Sequence, residues 1–312
     1  MKNARILGSG VGVPPTVYPN SWFDAIFDKP VGPWLEKNLH IYQRCWCSEK
    51  EGLLDLAEQA AREAMVNTGI RAAQLDLIIL ATDTPEVTSP ASSAALQQRL
   101  GARQAATFDL NNACAGFLNG LDIAAKFICQ DSDFQTIMVI GAYAVSKFLD
   151  KRDKKTATIF GDGAGAVILG ASPSGKGYLG SKFVTDGSYF EYMGIYQDIL
   201  EAREKFPEDL NSTTWTQLIL DLGKKIEVPV SDFNHFFFTQ INFQSIQHTL
   251  QTLDCAPERS HNIMHQYAYT GAACLPMAFH DAWQQGKIHS GETIAFVGSG
   301  AGAAFGATAF VV

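Results

Sequence analysis

The chain has 312 residues, of which 46% are hydrophobic and 18% charged, with a formal net charge of −8. That composition belongs to a globular protein with a large buried core, and the negative balance argues against a general nucleic-acid role. Met1-Lys2-Asn3-Ala4-Arg5 leads directly into strand-like Ile6-Leu7, so no leader is expected and the expected compartment is the cytoplasm. The six cysteines then read as free thiols.

In chain order, Cys45-Trp46-Cys47 comes first and lacks a second cysteine pair that would complete a zinc site, so no metal is expected. Leu77–Ala81 is an apolar strand-like run, and Ala105–Leu110 another. A helical pattern follows in Phe117, Leu118, Leu121, Ala124 and Ile128, and then the run Thr136–Gly141. Lys147, Lys151, Arg152, Lys154 and Lys155 form a basic stretch suited to phosphates, to an acidic protein or simply to solvent. Thr156–Phe160 reads as a strand, joined by Gly161-Asp162-Gly163-Ala164-Gly165-Ala166 to a second strand at Val167. The aromatic run Tyr189–Met193, with Tyr196, reads as loop packing or the cap of a pocket. Trp215, Leu218, Ile219, Leu222 and Ile226 recur at helical spacing. The uncharged segment 295–312 is rich in Gly and Ala, which favours a buried hairpin over a membrane span.

The chain repeats itself. Leu77–Thr82 has a counterpart in His235–Gln240, and Thr136–Gly141 in Thr293–Gly298. The offset also places Cys114 near Gly271, and it divides the chain near residue 170, into halves 1–170 and 171–312. The continuous apolar runs point to sheets covered on both faces. Neither glycine loop is a dinucleotide loop, because each leads into another strand rather than a helix. The Gly298 loop, Gly300 included, is a candidate source of backbone N–H donors for a site.

Cys114 is the candidate nucleophile. It lies in Asn111-Asn112-Ala113-Cys114-Ala115-Gly116-Phe117, where a strand pattern gives way to a helical one. A helix N-terminus favours thiolate over thiol, and the small neighbours leave room for a substrate. This is a layout for acyl transfer through a thiol; the alternative is a buried cysteine filling a gap.

These motifs together resemble the ketoacyl-ACP synthase III family of the thiolase superfamily from about Ile6 to Val312. The resemblance implies an α/β thiolase fold, two duplicated halves in five layers, usually in a homodimer. It implies that Cys114 takes an acyl group from a CoA or carrier-protein thioester, with no cofactor beyond that substrate. The family's His then corresponds to Thr239 in Thr239-Gln240-Ile241-Asn242, and its Asn to Tyr269. Thr cannot serve as a general acid or base near neutral pH, so decarboxylative condensation loses both usual partners while acyl loading is less affected. His265, four residues before Tyr269 on a presumed strand, is the best stand-in histidine, ahead of His235, His248 and His280.

By the same resemblance, Trp34 stacks on a CoA adenine and Lys154 contacts the nucleotide, whereas Asn38 and Gln244 replace basic residues. A carrier protein is therefore as good a donor as CoA. Asn242 and Gly300 are counted with the substrate-binding residues. Ser89 matches a position that bounds the acyl pocket from the partner subunit, where a small residue suits a larger acyl group. The expected function is an acyl-thioester transferase of fatty-acid or polyketide-type biosynthesis, acting by condensation with a malonyl thioester or by transfer to another nucleophile. The alternative is a non-catalytic or chain-binding subunit paired with an active ketosynthase homologue.

Overall fold

The computed structural model describes residues 2–172 and 176–312. Its frame is two sheets with the same strand order. The first contains β1 (Asn3–Gly12), β7 (Gly163–Ser172), β6 (Thr136–Tyr143), β4 (Leu77–Ala81) and β5 (Ala106–Leu110), in that order across the sheet. The second contains β11 (His235–Phe238), β12 (Thr293–Gly300), β13 (Ala304–Val311) and β8 (Tyr178–Thr185). Strand β4 runs parallel to β5 and β6, and β11 parallel to β12, while the remaining pairs are antiparallel. Beyond β11, a single bridge from Phe236 to Ser260 stands where β5 stands in the first sheet.

Alternation of side chains along the strands builds the layers. Ile78 and Leu80 face outward onto α2 (Leu53–Thr68) and α3 (Ser92–Leu100). Leu77 and Ile79 face inward with Phe237, Phe296 and Phe310 of the second sheet, onto α4 (Gly116–Gln130) and α9 (Cys274–Gln284). Phe236, Phe238 and Val297 face outward onto α6 (Leu210–Ile226) and α7 (Phe243–Thr252). The result is helix, sheet, helix, sheet, helix: the five-layered α/β arrangement that the resemblance implies. Continuous apolar strands are what two-sided burial demands. A fourth cluster joins α1 (Gly32–Leu39) and Trp46 to Met264 of the short helix α8 (Met264–Tyr267).

The middle layer depends on glycine. A Cβ at Gly165 of β7 would lie 2.8 Å from the Met277 backbone nitrogen in α9, and one at Gly141 of β6 would lie 2.1 Å from the Ala272 carbonyl oxygen. Backbone approach this close is open to glycine alone.

Two local expectations are corrected. Thr156–Ala157 belongs to a short helix, α5 (Lys154–Ala157), because the Asp153 carboxylate caps it, accepting from the Lys155 N–H at 3.0 Å and the Thr156 hydroxyl at 2.7 Å. Gly163–Ala166 lies inside β7 rather than in a loop. No helix among the described residues is long and apolar enough to cross a membrane.

Candidate active site

Cys114 sits on a tight turn before α4. Ala115 N–H donates to the Asn112 carbonyl at 3.1 Å and Gly116 N–H to that of Ala113 at 3.0 Å. Ala113 takes a left-handed φ of 46°, which is strained for a residue with a Cβ. The Asn111 side chain accepts the Ala113 N–H at 3.0 Å, and Asn112 donates to the Asn119 side chain at 2.7 Å. Gly300, at the end of β12, presses on this turn: a Cβ there would lie 2.9 Å from the Asn112 carbonyl oxygen and the Ala115 nitrogen, and 3.1 Å from the Cys114 nitrogen.

The thiol opens onto a narrow cavity of about 90 Å³. Its walls include Asp83, Tyr143, Phe160, Met193, Leu200, Leu210, Ile241, Tyr269 and Gly300. Cys114, Tyr269 and Gly300 are therefore brought together from three separate stretches of sequence. Tyr269 is buried, with its ring 5.4 Å from that of Phe160. Its backbone is clipped to the segment just before β7, donating to Ile159 and accepting from Gly161, each at 3.0 Å. The phenol lies near the Cys114 sulfur and favours its ionised form.

The electrostatics depart from the sequence expectation. Burial pushes the Cys114 thiol well above its ordinary pKa, and the nearby Asp83 carboxylate pushes the same way. The Tyr269 phenol and the residue's own backbone N–H oppose this without reversing it. At rest Cys114 is a thiol, so its position at a helix end does not suffice to ionise it. Burial also holds the Tyr269 phenol well above its usual range, so it stays a donor at neutral pH.

Asp83 went unnoticed in the sequence. It follows β4, between two buried threonines. Thr84 Oγ1 accepts the Ala144 N–H at 3.0 Å, and Thr82 Oγ1 accepts the Thr84 N–H at 3.0 Å. Those bonds fix the chain on either side of Asp83, whose side chain lines the cavity. Its Oδ1 is sealed and has no hydrogen-bond partner. Burial raises the carboxyl to about 6, against its own backbone N–H. A polar residue just past the C-terminal end of a parallel strand is where α/β sheets place their sites, and that was the available signal.

The remaining candidates lie elsewhere. Thr239 is fully buried outside the cavity lining, with its hydroxyl committed: it accepts the Ser299 N–H at 3.0 Å and donates to the Ser299 carbonyl at 3.4 Å. Asn242 is the N-cap of α7, its side chain accepting the Gln244 N–H at 2.9 Å and the Ser245 N–H at 3.4 Å. Trp34 is exposed on α1, and Lys154 sits with its ammonium 6.0 Å from the centre of the Phe27 ring. Ser89 is exposed and lines no part of the Cys114 cavity in its own chain.

His265 is corrected in both place and role. It lies on α8 rather than a strand, exposed beside Gln266, and faces a separate groove with His40 and Phe243. Among the described residues, no histidine, lysine or arginine lines the Cys114 cavity. The Gly161–Ala166 motif is structural: buried Asp162 accepts from the backbone N–H groups of Cys47 and Ser146 and from the Ser146 hydroxyl. Of the aromatic run, Met193 reaches the cavity, while Tyr189 and Tyr192 pack on Phe206. No cluster of His, Cys, Asp and Glu that could hold a metal occurs among the described residues.

Comparison with known proteins agrees with this geometry. Residues 108–187 match the family model for 3-oxoacyl-[acyl-carrier-protein (ACP)] synthase III, and residues 224–312 match that for its C-terminal region. The chain is 32% identical over 311 residues to a beta-ketoacyl-[acyl-carrier-protein] synthase III of Staphylococcus epidermidis, covering 98% of this chain and 97% of that one. The crystal structure of the 3-oxoacyl-[acyl-carrier-protein] synthase III of Aquifex aeolicus superposes with a TM-score of 0.94 at 29% identity, over 99% of this chain and 100% of that one. The corresponding Thermus thermophilus enzyme gives 0.92 at 26% identity, over 99% of both chains. The chain therefore belongs to the 3-oxoacyl-[acyl-carrier-protein] synthase III family of condensing acyltransferases.

Proposed function

We propose that this chain takes an acyl group from a CoA or carrier-protein thioester onto Cys114 and passes it to an acceptor. The observation that carries this reading is the Cys114 turn itself. Cys114 lines a mostly apolar cavity together with Tyr269, with Gly300 packed against its backbone. An apolar cavity ending at a thiol suits an acyl chain delivered as a thioester. The names of the relatives favour the same donor class.

The acceptor divides the reading in two. Decarboxylative condensation with a malonyl thioester needs donors for the developing enolate oxygen. Thr239 has given its hydroxyl to Ser299, and Tyr269 is a bulky phenol beside the sulfur where the family's Asn is expected. Both observations favour transfer to another nucleophile over condensation. A homodimer fits the half-exposed outer strand β5, whose flank is open to pairing within the single chain.

Intact mass after incubation with a panel of acyl-CoA and acyl-carrier thioesters tests the reading. A mass gain lost in Cys114→Ala is expected, and the best donor identifies the chain class. Malonyl thioester then distinguishes condensation from transfer by release of carbon dioxide. A wild-type protein that gains no mass with any donor would instead favour a chain-binding subunit.

A further inference from the structure

We propose that Asp83 is the general base of this site, carrying the proton that Cys114 must lose. The proposal rests on the acyl-Cys114 reading above. In the chemical step the Asp83 carboxylate takes the thiol proton as the sulfur attacks the thioester carbonyl carbon. The carbon–sulfur bond to the donor then breaks. The donor leaves as a thiolate and takes the same proton from Asp83, so thiol and thioester exchange and no other reactant is consumed.

Three observations converge on Asp83. A proton carrier is required, because burial keeps Cys114 a thiol. The alternatives fall short: among the described residues the cavity walls hold no histidine, the hydroxyl of Thr239 is committed to Ser299, and burial keeps the Tyr143 phenol protonated. Asp83 shares the cavity with Cys114 and holds Oδ1 buried and without a partner, a state that is unfavourable unless the atom has a use. The groups that act on this carboxyl are few. Cys114, Tyr143 and Tyr269 line the same cavity, Cys274 is a neighbour of Cys114 and Tyr269, and Tyr196 and Asp198 line a second groove that Asp83 also borders. None is cationic, so nothing pins Asp83 in an ion pair. Its carboxyl, raised to about 6, lies in the range suited to proton transfer near neutral pH.

The sign of one substitution decides the matter. As a mere negative charge, Asp83 opposes thiolate formation, and Asp83→Asn would then speed acylation of Cys114 above about pH 6, where the carboxyl is ionised, and leave it unchanged below. As a base, it gives a loading rate that rises with pH through about 6, as the carboxyl ionises, and is flat above that. Asp83→Asn would then load roughly 10²- to 10⁴-fold more slowly near neutrality and climb about tenfold per pH unit, following free thiolate.

The experiment is the pH profile of acyl-enzyme formation by mass, in wild type, Asp83→Asn and Asp83→Glu. Alkylation of Cys114 by iodoacetamide is followed in parallel. The plateau is expected in wild type, its loss in Asp83→Asn and its return in Asp83→Glu. Faster or unchanged loading in Asp83→Asn overturns the proposal, as does an effect confined to the choice of donor with an unaltered profile, which would make Asp83 an acyl-recognition residue. Because iodoacetamide needs no thioester recognition, the alkylation profile separates the two readings. A wild-type protein that alkylates with the plateau but accepts no thioester refutes the donor assignment and leaves Asp83 in its role.

Discussion

The turns before α4 and α9 occupy equivalent places in the two halves, yet only one presents chemistry. Each carries a left-handed residue just ahead of its helix, Ala113 with φ 46° and Gly271 with φ 50°. Each has a cysteine at the helix start, Cys114 and Cys274. Cys274 is fully buried, lines no wall of the cavity, and is pushed up to about 12 by that burial. Cys114 lines the cavity beside a phenol donor and a free carboxylate oxygen. The helix end is common to both, so access and polar neighbours make the nucleophile, and the helix alone does not. The second half contributes Tyr269, from just ahead of its own turn, to the site of the first.

This contrast breaks most simply at the thiols. Cys274→Ala should load acyl groups within about threefold of wild type, whereas Cys114→Ala should load none; intact mass reads both, and acylation of Cys274 would erase the distinction. The next largest effect is expected at Gly300→Ala, whose methyl must displace the Cys114 turn. Loading should fall by roughly a hundredfold, the order seen when one oxyanion contact is lost, and melting should drop with a stability loss of about 1–3 kcal/mol. Tyr269→Phe removes the hydroxyl that favours the ionised sulfur. A bond to a charged group is worth about 1.5–3 kcal/mol, so loading and alkylation of Cys114 should both fall roughly tenfold or more, with the inflection of the pH profile unmoved. Thr239→Val should barely change loading per folded molecule. It strands the Ser299 N–H, which costs about 1–3 kcal/mol by denaturant unfolding; a hundredfold loss of loading in a stable Thr239→Val protein would return Thr239 to the chemistry.

Much of the frame is legible in the sequence, because two-sided burial writes itself as unbroken apolar runs. Leu77–Ala81, Thr136–Gly141 and Thr293–Gly298 all fall within strands, and the repeat announces the matching sheets. The misreadings are local and polar in origin. Thr156 looks like a strand residue until the Asp153 side chain caps the turn. Asn242 caps α7, a role its motif did not announce. Asp83 escaped notice because one carboxylate between threonines carries no periodicity and no motif; only the folded cavity shows it sharing its walls with Cys114.

The glycines of β6 and β7 reach beyond the site. With Gly165 set against the Met277 backbone and Gly141 against the Ala272 carbonyl, the first sheet and the helix of the second half share one seam, inside a core that draws side chains from both sheets. Neither half can melt and leave the other with a closed surface. Heat should therefore unfold the chain in a single calorimetric transition, with the van't Hoff and calorimetric enthalpies in agreement.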